Sequence, residues 1–142
     1  MSIHGPFWSK AVAVAKYRPR GLQRGDVPTG PGMYIWFCEG EPVYVGVAAG
    51  AQGLKGRLRA HLAKGTDLSR STLRAGVAVA ELGVTRAYAR QRPSVMTATE
   101  IACINDWLAS CELGWHECSS AIAAHALEFS LRREWAPPLN IL

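Results

Sequence analysis

The chain has 142 residues, enough for one domain with one core, and its 49% hydrophobic against 19% charged content excludes a disordered chain. No apolar run is long enough to span a membrane, and the run at residues 11–15 is too short for a signal-peptide core, so a cytoplasmic protein is expected. The formal net charge of +5 is clustered. Lys10, Lys16, Arg18, Arg20 and Arg24 stand against Asp26 near the start, and Lys55, Arg57, Arg59, Lys64, Arg70 and Arg74 against Asp67 further on, which is the footprint of a polyanion partner such as nucleic acid and not of a membrane.

In chain order, residues 8–17 fit one short helix with Phe7, Val12 and Val14 as apolar contacts. Residues 18–25 read as loop, and Pro28-Thr29-Gly30-Pro31-Gly32 is a cluster of breakers. Residues 1–29 are therefore expected to form a basic arm on a domain spanning residues 30–142.

Residues 32–46 read Gly-Met-Tyr-Ile-Trp-Phe-Cys-Glu-Gly-Glu-Pro-Val-Tyr-Val-Gly, two β-prone runs around a Gly-containing turn, which is the pattern of a β-hairpin. Alternation places Met33, Ile35 and Phe37 on one face and Tyr34 and Trp36 on the other. On the second strand Val43, Val45 and Val47 share a face, and Tyr44 and Gly46 the opposite one. A turn centred on Glu39 sets Tyr34 directly across from Tyr44. Two adjacent phenols beside a bare glycine suit a site better than a packed sheet.

Residues 48–53 form a small-residue loop, and residues 54–63 a helix with Leu54, Leu58 and Leu62 as its apolar stripe. Arg57 and His61 stand one turn apart on one flank, Lys55 and Arg59 on the other. Taken alone, Arg57 reads as a surface charge and His61 as a surface histidine. Residues 71–82 suggest a helix capped by a serine, and residues 85–90 an extended segment. Thr97-Ala98-Thr99-Glu100 is a capping box opening a helix to about Ser110, and residues 113–117 read as a third strand.

Ser119 or Ser120 caps a last helix to about Trp135, on which Glu128 shares the stripe of Ala124, Leu131 and Trp135. A carboxylate on an apolar face needs either a cation or polar niche, or a pairing with Arg132 one turn on. Pro137 and Pro138 end the helix before Asn140. The four cysteines include no CxxC pair, and Cys111, His116 and Cys118 match no usual zinc spacing, so free thiols are expected.

Gly32-Met33-Tyr34 followed by Tyr44-Val45-Gly46 resembles the paired signature of the GIY-YIG nucleases. Leu54-Lys55-Gly56-Arg57-Leu58 with His61 resembles that family's second motif, and Glu128 with Asn140 twelve residues later its glutamate helix and Pro-rich turn. Val47 departs from the lysine that many members carry after the second tripeptide. The resemblance implies an α/β (α+β) fold, a small central antiparallel three-stranded sheet flanked by helices. It implies metal-dependent hydrolysis of phosphodiester bonds in DNA, duplex or branched, with Mg²⁺ or Mn²⁺ held by Glu128. Tyr34, Tyr44, Arg57, His61, Glu128 and Asn140 would form the catalytic set, with Arg57 on the scissile phosphate and Asn140 fixing the geometry around the glutamate helix. Lys55, Arg59, Lys64, Lys16, Arg18 and Arg20 would meet the nucleic acid. Specificity would come from a second copy of the chain or a separate partner. The alternative is a nucleic-acid-binding module that keeps this fold with weak or lost catalysis, and Val47 is the residue that favours it. A protein-interaction domain is disfavoured by the basic clusters.

Overall fold

The computed structural model describes residues 4–23 and 25–141; Arg24 lies outside them. Its sheet starts from the hairpin of β1 (Gly32–Cys38) and β2 (Glu41–Ala48). Glu39 and Gly40 form a two-residue turn with φ of 52° and 82°, the positive values that the tight hairpin turns of twisted strands use. This turn sits half a residue from the expected centre, and it alone would carry Tyr44 to the wrong face. A bulge corrects that. Phe37 pairs with Pro42 but Trp36 pairs with Tyr44, leaving Val43 without a partner. The extra residue reverses the alternation, as bulges do. Tyr44 and Gly46 thereby join Tyr34 and Trp36 on one face.

Two expectations change as a result. Tyr34 lies across from Gly46, not Tyr44, which pairs with Trp36. Val43 packs with the core on the tyrosine side, apart from Val45.

β3 (Glu112–Glu117) pairs antiparallel with β1, so the order is β2-β1-β3. The tyrosine face is covered by α2 (Gly53–Leu62), α3 (Thr72–Leu82) and α5 (Ala98–Ala109), whose Leu54, Leu58, Leu73, Val77, Ile101 and Ile104 pack on Tyr34, Trp36 and Leu113. The other face, Met33, Ile35, Phe37 and Val45, is covered by α1 (Pro6–Ala11) and α6 (Ala121–Glu134) through Trp8 and Leu131. The result is the expected α+β sandwich of a three-stranded antiparallel sheet between helices. The capping box at Thr97 and Glu100 and the caps at Ser71 and Ser120 start α5, α3 and α6.

The first helix is shorter than its sequence suggests. It ends at Ala11, because Tyr17 bonds Leu113 in both directions at 2.8 Å and so covers part of the free edge of β3. Trp8 anchors it: the fully buried indole N–H donates to the Leu131 and Trp135 carbonyls at 2.8 and 2.9 Å, and the Glu134 carboxylate accepts the Phe7 and Trp8 N–H groups. Residues 85–90 are not extended either. Thr85 accepts the Tyr88 N–H at 3.1 Å and nucleates the short α4 (Arg86–Ala89). Cys38, Cys103, Cys111 and Cys118 are free thiols, and burial, with Cys38 beside it, pushes Cys111 up to about 12.

Candidate active site

The site begins with a close approach between neighbouring strands. A Cβ on Gly46 would collide with the Tyr34 phenol, so only glycine lets that ring lie across β2. Tyr34 is thus sealed beneath α2, 1% exposed, and its hydroxyl meets His61 Nε2 at 2.5 Å. His61 is fully buried, so the surface position its helical spacing suggests does not hold. Its Nδ1 lies 2.6 Å from Ser71 Oγ, which also accepts the Arg74 N–H at 3.0 Å as the cap of α3. The next residue, Thr72, meets the Tyr44 hydroxyl at 2.6 Å. The N-terminus of α3 therefore holds both phenols, one through His61 and one directly. The rings of Tyr34, Tyr44 and His61 lie 5.3–6.2 Å apart.

The protonation states follow from burial. His61 drops to about 3, first through desolvation and then through the Arg57 and Arg74 guanidiniums, so it is neutral at physiological pH. The Tyr34 phenol is pushed well above its ordinary value by burial, with Tyr44 adding to the shift and Arg57 opposing it. Neither ring is charged. With its proton on Nδ1, His61 donates to Ser71 and accepts from Tyr34. With it on Nε2, both directions reverse and the Tyr34 hydroxyl hydrogen is released from the histidine.

Arg57 is half-buried at the mouth of this network, and its Nη1 donates to the Arg70 carbonyl at 3.2 Å. Beside it a shallow cleft of about 220 Å³ is lined by Ala48, Gly50, Gln52 and Gly56. Tyr44 is 8% exposed, the more open of the two phenols.

Asn140 and Glu128 take different places. Asn140 Oδ1 accepts the Val45 N–H at 2.9 Å and its Nδ2 donates to the Val45 carbonyl at 2.8 Å. The side chain thus acts like a short partner strand on the outer edge of β2, between Tyr44 and Gly46. Glu128 rides on α6, across the sheet from the tyrosines. Leu139 already packs in the tyrosine-side core, so the chain after α6 wraps around the edge of β2. Tyr34, Tyr44, Arg57 and His61 are brought together; Glu128 is not among them, and stands on the helix that covers the opposite face of the sheet.

Burial raises the Glu128 carboxyl, with Arg132 and His125 opposing. The carboxylate has no hydrogen bond or ion pair among the described residues, so the pairing with Arg132 is not made. Such a half-buried carboxylate suits one hard cation completed by water, and the described residues offer no group of three His, Cys, Asp or Glu as a fuller cage.

The basic residues divide. Lys16, Arg18, Arg20, Arg59 and Lys64 are exposed and Lys55 half-buried. Lys16 donates to the Val12 carbonyl and stands 4.7 Å over the Phe37 ring, while Arg18 reaches the Ser110 carbonyl. Arg20 and Lys64 line a cavity of about 350 Å³ with Asn105 and Asp106. Arg74 leaves the surface set. It is fully buried, donating to Gly65 and Asn105, and its charge acts inward on His61. Sequence reasoning missed Ser71 and Thr72 as site residues. The serine cap was visible, but its place in the site depends on His61, 10 positions before it, and on Tyr34, a further 27 positions back.

A family model described as the GIY-YIG catalytic domain matches residues 38–142. The chain belongs to this family, a class of nuclease-type catalytic domains that act on nucleic acid and generally use divalent metal ions. The match contains the second tripeptide, Arg57, His61, Glu128 and Asn140, and begins after the first tripeptide. No curated protein and no solved structure matches the chain.

Proposed function

We propose that this chain is a metal-dependent endonuclease that hydrolyses phosphodiester bonds in DNA with a single ion. The observation that carries this reading is the pair of phenols held by α3 beneath Arg57. Tyr34 is tied to His61, His61 to Ser71, and Tyr44 to Thr72, at 2.5–2.6 Å. A fold that needed these residues only as filler would not spend four hydroxyl groups and a buried imidazole there.

The residues take roles from their chemistry. Arg57 binds the scissile phosphate, since a planar guanidinium offers two parallel donors to its oxygens. Tyr44, the more open phenol, orients the attacking water and takes its proton. Tyr34 and His61, neutral and buried, hold Tyr44 and Arg57 in place without adding a competing charge. Asn140 fixes the edge of β2, and with it the line between Tyr44 and Glu128. Glu128 would hold one Mg²⁺ or Mn²⁺, which supplies charge stabilisation at the leaving oxygen.

The reading with binding but little catalysis rests on Val47. Its pairing with Met33 turns it toward the α6 face, away from Tyr44, so a lysine there would point away from the phenol. One experiment separates the two. Supercoiled plasmid incubated with Mg²⁺ or Mn²⁺ should be nicked by the parent, spared with chelator, and spared by Glu128→Gln, which should still bind DNA as well or better. Binding without any nicking supports the non-catalytic module. Full nicking by Glu128→Gln would move the metal site elsewhere.

A further inference from the structure

The outer side of α6 carries a feature that the catalytic reading does not use. Phe129 is 63% exposed, next in sequence to Glu128. It lines a groove of about 490 Å³ together with Glu128, Arg132, Arg133 and Ala136. Arg132 and Arg133 are exposed, and neither has a side-chain hydrogen bond or ion pair among the described residues, where Arg92 with Asp67 at 3.9 Å is the ion pair formed. The groove thus combines one bare aromatic face, two planar cations held in no ion pair, of which Arg132 feels the Glu128 charge, and that carboxylate itself.

We infer that this groove takes an unpaired nucleotide, its base stacked on Phe129 and its phosphate on Arg132 and Arg133, next to the bond that is cut. This rests on Glu128 marking the cleavage site. The chemistry selects that occupant. Aromatic side chains bind bases through their π faces, and adjacent arginines track the backbone. Inside a duplex both faces of a base are covered by its neighbours, so Phe129 can stack only on a base that has left the helix. The substrate class is therefore DNA with an unpaired nucleotide at the cleaved position, as in a bulge, flap or junction. Ile122, 82% exposed and two turns earlier on the same side, would suit an apolar protein partner. It lies outside the groove lining, and the cations around Phe129 favour a phosphate-bearing occupant.

The test is binding in chelator, where no strand is cut. Duplexes carrying 2-aminopurine either at a single-nucleotide bulge or at the same position fully paired are titrated with the parent, Phe129→Ala and Phe129→Tyr. The parent should alter the fluorescence of the bulged probe by stacking. Phe129→Ala should bind it about 5- to 150-fold more weakly, the usual range for losing one base–aromatic stack. Affinity for the paired duplex should change less than about twofold on that stacking argument, and Phe129→Tyr should restore the bulge preference. Equal effects on both probes, or none, overturn the inference and leave the nuclease reading intact. Loss of plasmid nicking with the bulge-specific stacking retained would fail the nuclease reading instead. If Phe129→Ala abolishes self-association of the protein and leaves DNA binding unchanged, the face belongs to a protein contact and the inference falls.

Discussion

Acid should weaken this fold through His61, by an amount that can be worked out. In an unfolded chain a histidine titrates near 6.5; in the fold His61 lies at about 3. Between these values the unfolded state binds a proton that the folded state refuses, so stability falls as pH falls below about 6.5 and is fully present above it. At pH 5 the deficit spans about 1.5 pH units at roughly 1.4 kcal/mol each, or about 2 kcal/mol. That is a large part of the stability of a small domain. Urea unfolding of the parent and of His61→Gln at pH 8 and pH 5 isolates this contribution, because every other residue is common to both proteins. The parent should lose about 2 kcal/mol more than the variant over that interval. If the variant is too unstable to measure, the His61 ring C–H shifts in the parent serve instead, and they should stay constant from pH 8 to pH 5. Parallel pH dependences, or a ring that titrates near 6.5, would refute the buried neutral imidazole. A constant neutral ring also means that activity lost on mild acidification, short of unfolding, must come from another group; protonation of the raised Glu128 carboxyl in competition with the ion is one such source.

Tyr44→Phe should lower kcat by roughly 10²–10⁴-fold if its hydroxyl handles the proton of the attacking water. Thr72→Val removes only its partner, so kcat should fall less, KM should hold, and Thr72→Ser should recover the rate; unchanged kinetics in all three would leave Tyr44 a packing residue. Gly46→Ala should cost about 1–3 kcal/mol by forcing the Tyr34 ring out of place, measured as a lowered urea midpoint. Neutralising Lys16, Arg18 and Arg20 together should flatten the salt dependence of duplex binding by up to about 0.9 for each phosphate left without its cation; an unchanged slope would mean that the arm serves only to pack on the domain.

The elements that depend on neighbours in sequence were legible. The capping box at Thr97, the serine caps of α3 and α6, and the alternation along β1 all act within four residues. What was not legible depends on partners far along the chain. Val43 looks like any β-strand valine, and nothing local marks it as the bulge that sets Tyr44 on the Tyr34 face. Tyr17 leaves the first helix because Leu113, nearly a hundred residues later, offers an open strand edge. His61 sits on the flank of a helix by its spacing, yet it is buried because Tyr34 and Ser71 close over both ring nitrogens. Arg74 counted as surface charge until Gly65 and Asn105 took its guanidinium inward.

The same distinction bears on the site. The family resemblance supplied six residues as an expectation, and the structure brings four of them, Tyr34, Tyr44, Arg57 and His61, together. The division across the sheet was not legible, because it rests on the edge position of β2. An edge strand exposes its backbone on one side and its side chains on both faces. Asn140 fills the exposed backbone at Val45, Tyr44 looks toward α3, and α6, the helix that carries Glu128, packs on the opposite face. On the proposed function, a phosphodiester at that edge would meet Arg57 and Tyr44 on one face and the helix that carries Glu128 on the other. An edge strand leaves such a line open, whereas a strand flanked on both sides would bury it.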